Sequence, residues 1–206
     1  NSSANQQQSG TVAIGYKALE ALTSGGGNLA IGYEAAHLLT TGGGNTAIGF
    51  DAMKNLVSGA GNVAIGYEAG EGFENAETGN VAIGFEAMAL ADEGTGGGST
   101  DHNIALGYQA LTMGDVASND RNRQGNIAIG GFALNSTSDI AITGTIAIGY
   151  NALTALSSGT GGNVAIGYQV AQSLTSGVQN TIIGYQAATA LGTGNYNVVM
   201  GYAALD

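Results

Sequence analysis

Four carboxylates recur at almost equal intervals: Glu34, Asp51, Glu68 and Glu86, separated by 17, 17 and 18 residues. Acidic oxygens repeated along one side of a regular structure could bind cations, and a spaced pair could cleave a glycosidic bond. The same column continues as Gln109, Asn151, Gln169 and Gln186. Catalysis would not explain these neutral residues, so the column reads better as a cap near the N-terminus of a short helical turn. There a negative side chain gains about 0.3–1 kcal/mol from the dipole and an amide serves as well. Glu71, Glu74 and Glu77 suggest calcium beside Glu68, but the spaced Asp/Asn-Gly-Glu loop of an EF-hand is missing, so they read as solvated charge. His37 and His102 are the only histidines and there is no cysteine, which leaves no zinc site of the usual kind within one chain. No glycine run precedes a Lys-Ser/Thr pair, and no Ser-His-Asp arrangement can be assembled. The expectation is a protein that is not an enzyme and holds no cofactor or metal.

Recognition is the other chemistry available. Of four basic residues, two lie in one polar stretch, Arg121 and Arg123, the others being Lys17 and Lys54. That stretch also carries Asp115, Asn119, Asp120 and Asn122. Guanidinium groups suit carboxylate or phosphate groups on surface glycans. These six residues are the candidate receptor contacts.

What must position them is a repeat. The phrase Gly61-Asn62-Val63-Ala64-Ile65-Gly66-Tyr67-Glu68-Ala69 returns along the whole chain. Its second glycine, taken as an anchor, falls at Gly15, Gly32, Gly49, Gly66, Gly84, Gly107, Gly130, Gly149, Gly167, Gly184 and Gly201. Eleven units at a nearly fixed period of about 17 residues predict a solenoid spanning 1–206, with each unit a coil stable only when stacked on its neighbours. Before each anchor a short β-branched run such as Asn163-Val164-Ala165-Ile166 predicts a strand. The Ile column next to the anchor is expected to face the core, and the small Ala column before it to let another backbone approach. Asn stands four residues before the anchor in nine of the eleven units, which predicts an amide ladder. An aromatic follows the anchor in ten units, broken by one place at Gly131-Phe132, which predicts a stacked file.

Beyond the aromatic, Lys17–Leu22, Glu34–Leu39 and Ala152–Leu156 have apolar residues three to four apart and read as short helical turns. The expected fold is therefore a β-rich solenoid of the parallel β-roll or β-helix type, with one short strand and one short helical turn per repeat. Strands stack about 4.8 Å apart and helices about 8–10 Å, a mismatch that a curved solenoid, outward-splayed turns or intercalated strands of other chains would each relieve; a rod of roughly 100 Å is expected over one of roughly 50 Å. Longer loops are expected at 70–79, 91–102 and 114–125, on the face where repeat arrays place binding insertions. Residues Ser136–Ile146 alternate like a strand where other units look helical.

Composition narrows the partners. Fifteen acidic residues against four basic ones give a net charge of −11, which repels nucleic acid and anionic membranes, and no apolar run is long enough to span a bilayer. With no initiating Met and a final unit that stops at Asp206, the sequence reads as part of a longer chain. Coils this thin and glycine-rich lose much entropy on ordering, so burial against further copies is expected.

At Asn-Val-Ala-Ile-Gly-Tyr-x-Ala the sequence resembles the head repeats of trimeric autotransporter adhesins. Asn45-Thr46-Ala47-Ile48-Gly49-Phe50-Asp51-Ala52-Met53 is still more similar to the longer-period repeats of phage tail-fibre proteins and related surface fibres. The resemblance implies an elongated homotrimer, located outside the cell on a cell surface or virion, that attaches to a host or surface. Its expected partners are further copies of itself, laterally or end to end, and surface glycans. A self-assembling filament without a receptor is the alternative, and a glycan-cleaving fibre a third reading.

Overall fold

The computed structural model describes residues 9–90, 99–112, 122–135, 141–157 and 161–206. Each repeat contributes one three-residue strand to a single parallel sheet. In chain order these are β1 (Val12–Ile14), β2 (Leu29–Ile31), β3 (Thr46–Ile48), β4 (Val63–Ile65), β5 (Val81–Ile83), β7 (Ile104–Leu106), β9 (Ile127–Ile129), β11 (Ile146–Ile148), β12 (Val164–Ile166), β13 (Thr181–Ile183) and β14 (Val198–Met200). They pair in sequence order, with no crossover, in an 11-stranded ladder. The register is the repeat itself: Ala47 pairs with Ala64, and Ala64 with Ala82. The chain is a parallel β-solenoid.

The anchor glycines turn each coil out of the sheet. Gly66 has φ 140°, a value that L side chains rarely adopt, and a Cβ built there would lie 2.3 Å from the Gly84 carbonyl oxygen. Only glycine satisfies both conditions.

The expected helical turns are not helices, and among the described residues there is no helix. Instead φ alternates in sign. Glu34 and Ala36 lie at 49° and 51°, as do Asp51 and Met53 at 53° and 50° in the next coil. Their N–H groups point along the solenoid axis: Glu34 N donates to Tyr16 O at 2.8 Å in the preceding coil, and Ala36 N to Ala52 O at 2.9 Å in the following one. Bonding between coils at strand spacing removes the helix-packing mismatch. The solenoid therefore rises by a strand spacing per coil and spans roughly 50 Å over eleven coils, not 100 Å.

Strand alternation also reverses one expectation about the core. In β2, β3 and β4 the central Ala is buried and its two neighbours are half-buried. The Ala column, not the Ile column, points inward. It meets the second Ala of each repeat and the positions one and four residues further on, as in Ala47, Ala52, Met53 and Leu56. Alanine is required because the two walls are close: a Cβ at Gly70 would lie 3.3 Å from Ala64 Cβ. The Ile column looks out.

Two of the expected loops contain strands. β6 (Ser99–Asp101), within 91–102, and β8 (Asn122–Gln124), within 114–125, join β10 (Ile142–Thr143) in a second parallel sheet of order β10-β8-β6. The longer repeats thus add a wall, and β10 lies in the stretch whose alternation predicted a strand. In 70–79, Phe73 is buried in place of the Leu of other coils, and Glu77 is buried as well. The Glu77 carboxylate accepts from Glu74 N at 3.2 Å and Asn75 N at 3.0 Å. It closes its own loop rather than standing as solvated charge.

Candidate functional site

The carboxylate and amide column that begins at Glu34 sits at the first of the two positive-φ positions in its coils. Asp51, Glu68, Glu86, Gln109, Asn151, Gln169 and Gln186 all have φ near 50°. There is no helix dipole for them to cap. Several of them are tied to the column residue of the next coil, directly or through Lys54. Lys54 Nζ bridges Glu34 at 2.8 Å and Asp51 at 2.9 Å, Gln109 donates to Glu86 at 2.6 Å, and Gln186 donates to Gln169 at 2.9 Å.

Electrostatics follows from these contacts. The hydrogen bond from Lys54 holds the Glu34 carboxyl below the usual carboxylate range, and the same two carboxylates push the Lys54 ammonium up. Glu71 moves the other way, pushed up first by burial and then by the charges of Glu68 and Asp51. Among the described residues no three His, Asp or Glu side chains are placed to hold a metal ion.

The candidate receptor contacts divide. Asn122 is exposed on β8, but Arg123, beside it, is 1% exposed and pairs in register with Thr100 and Ile142, both buried. Strand alternation turns it into the coil, so it does not face a receptor from this chain. Asp115, Asn119, Asp120 and Arg121 lie outside the described residues.

The aromatic column forms the expected file. Tyr33, Phe50, Tyr67, Phe85 and Tyr108 stack with centroids 5.0 to 5.2 Å apart and planes within 8°. The rings are not buried: Tyr67 is 42% exposed. Each ring covers its neighbour's face and shows its edge to solvent.

At Gly131-Phe132 the file breaks. Phe132 stands at 66° to Tyr108 and at 86° to Tyr150, before stacking resumes between Tyr150 and Tyr168 at 15°. An open cleft of about 320 Å³ lies here, lined by Phe132, Asn135, Tyr150, Asn151 and Thr154. The sequence signal was the slip of the aromatic by one place, which marked a fault but not a cavity.

No protein family, no characterised protein and no solved structure matches the chain.

Proposed function

We propose that the chain is a segment of an extracellular homotrimeric fibre, of the phage tail-fibre or bacterial adhesin kind, which carries an attachment surface at a distance. One observation carries this reading: the outer face of the 11-stranded sheet is apolar and, among the described residues, unpartnered. Its two outward columns run through Val63 and Ile65 in one coil, Val81 and Ile83 in the next, and contain no charged residue. Over a solenoid roughly 50 Å long these columns make a patch on the order of 500 Å², the size at which a soluble surface marks an interaction site. A second copy with the same face is its natural cover. The Ala column serves the chain's own core and is not available between chains.

Sedimentation at micromolar concentration tests the reading. A trimer is expected, and Ile65→Glu together with Ile83→Glu should convert it to monomer while leaving the β-sheet circular dichroism intact. A wild-type monomer would remove the proposal, and open-ended growth with concentration would replace it with a self-assembling filament.

A further inference from the structure

The fault in the aromatic file coincides with the open cleft beside Phe132. In ten coils the residue after the anchor is aromatic, and away from the fault consecutive rings stack. In the coil of Gly130 that place belongs to Gly131, and the aromatic comes one residue later. A Cβ at Gly131 would sit 3.4 Å from Tyr150 Cδ2 and 3.6 Å from Cε2, so the missing side chain is the one that would lie against this ring. Phe132, with φ 57°, carries its ring to the side, with its centroid 5.9 Å from that of Tyr150 and nearly perpendicular. Two rings at a right angle thus wall a cleft whose other lining residues are Asn135, Asn151 and Thr154.

The lining holds two aromatic rings, two primary amides and the hydroxyls of Tyr150 and Thr154, with no charge. An amide both donates and accepts, as a hydroxyl does, which matches the hydrogen-bonding habit of sugar hydroxyls. The negative face of an aromatic ring attracts polarised C–H groups, and a pyranose has a C–H-rich face ringed by hydroxyls. An anionic sugar would find no cation here and would meet a chain of net charge −11. The volume is at the low end of the range for small-ligand clefts, about 300–1,000 Å³, which suits a single sugar unit and not a long oligomer.

We infer that this cleft binds one neutral pyranose unit, such as a terminal or branch residue of a surface glycan. The inference deepens the attachment reading and rests on it for the source of the saccharide. Its geometry needs only one chain, and none of the lining residues belongs to the outward Val and Ile columns.

The test is saturation-transfer NMR and titration of the 206-residue chain with the methyl glycosides of glucose, galactose, mannose and N-acetylglucosamine. At least one should bind, with Kd on the order of 1 mM, as expected for a small open site. The informative variant is Gly131→Tyr with Phe132→Gln, which restores the order seen at Gly167-Tyr168-Gln169. Gly131 does not have positive φ, and Gln already occupies the position after the aromatic at φ 50° in Gln169, so the fold should survive. Glycoside binding should fall at least tenfold with the melting temperature unchanged or raised. Thr154→Val should weaken binding while keeping the rings. Failure of all four glycosides to bind, or binding equal in the repaired variant, would overturn the inference, as would binding of indole but of no glycoside. A monomer that still binds glycoside would remove the fibre reading and spare the cleft, while a trimer that binds none would do the reverse.

Discussion

Two stretches of the solenoid use the same backbone and differ in their side-chain ladders. From Asn28 to Glu86 the coils are nearly uniform. Asn45 N and Asn62 N each donate to the Asn Oδ1 of the coil before, at 2.9 and 3.0 Å, and the rings lie parallel. From Asn103 to Asn163 the rings turn edge-on, and the amide ladder ends at Thr145. Its N–H still donates to Asn126 Oδ1 at 3.0 Å, but its buried Oγ1 has no partner among the described residues. A new run then links Asn163, Asn180 and Asn197. The strand register passes through both stretches unchanged, Ala105 to Ala128, Ala128 to Ala147 and Ala147 to Ala165. The peptide ladder therefore carries the fold, and side-chain ladders reinforce it. A fault in the latter is tolerated, which is where a cleft can open.

One substitution made at both kinds of position separates the peptide ladder from the side-chain file. Gly66→Ala puts a methyl group 2.3 Å from a backbone oxygen in a forbidden φ region, with no flexible side chain to move away. It should cost about 4 kcal/mol or more and abolish a cooperative melt. Gly131→Ala meets only ring carbons at 3.4 and 3.6 Å, at ordinary contact distance. It should change stability by no more than about 0.5 kcal/mol. Equal effects in thermal denaturation would refute the division between peptide ladder and side-chain file.

A smaller effect distinguishes the amide runs. Asn62 accepts from Asn80 N at 3.0 Å and from its Nδ2 at 3.3 Å, and donates to Glu77 O at 2.7 Å, all buried. Asn62→Ala leaves those groups unsatisfied and should cost about 2–4 kcal/mol in urea unfolding. At the fault the sign is reversed. Thr145→Asn supplies the missing amide and should add about 1 kcal/mol, which a loss of stability would contradict.

How much of this was legible in the residues depends on the column. The strands, the Asn ladder and the aromatic file follow from period and residue type, since each repeats the same chemistry at the same place. The helical reading of Glu34–Leu39 failed for a specific reason. Ala35, Ala36 and Leu39 are all buried, and this spacing of three and four is what an amphipathic helix also shows. A turn with alternating φ sends the same positions inward, and nothing in residue type separates the two. Ile65 misled because a single chain buries the smaller Ala64 and leaves the larger residue outside, the reverse of the usual preference. Arg123 looked like surface because it is charged, and only its register beside Thr100 reveals that it points in. The cleft at Phe132 depends on the orientation of two rings, which sequence does not state.

The smallest effect is a pH dependence confined to the acidic coils. Glu34, Asp51 and Lys54 tie two successive coils together through charge, whereas Gln169 and Gln186 do the same work with neutral amides. The Glu34 carboxyl is held below its usual range by Lys54, so its contribution is present above the unfolded value of about 4.3 and is lost as pH falls through the folded value. Glu71 has the opposite sign. Its carboxyl is raised by burial and by Glu68 and Asp51, so its ionisation weakens the fold above the folded value, and the penalty vanishes below about pH 4.3. Glu71→Gln should therefore raise the melting temperature at pH 7 by roughly 1–2 °C, and the difference should disappear by about pH 4. Amide exchange read from pH 6 to pH 3 separates the coils: protection should drop around Glu34 to Lys54 and hold around Gln169 to Gln186. A uniform loss along the solenoid would show that the charged bridge does nothing that the amide bridge does not.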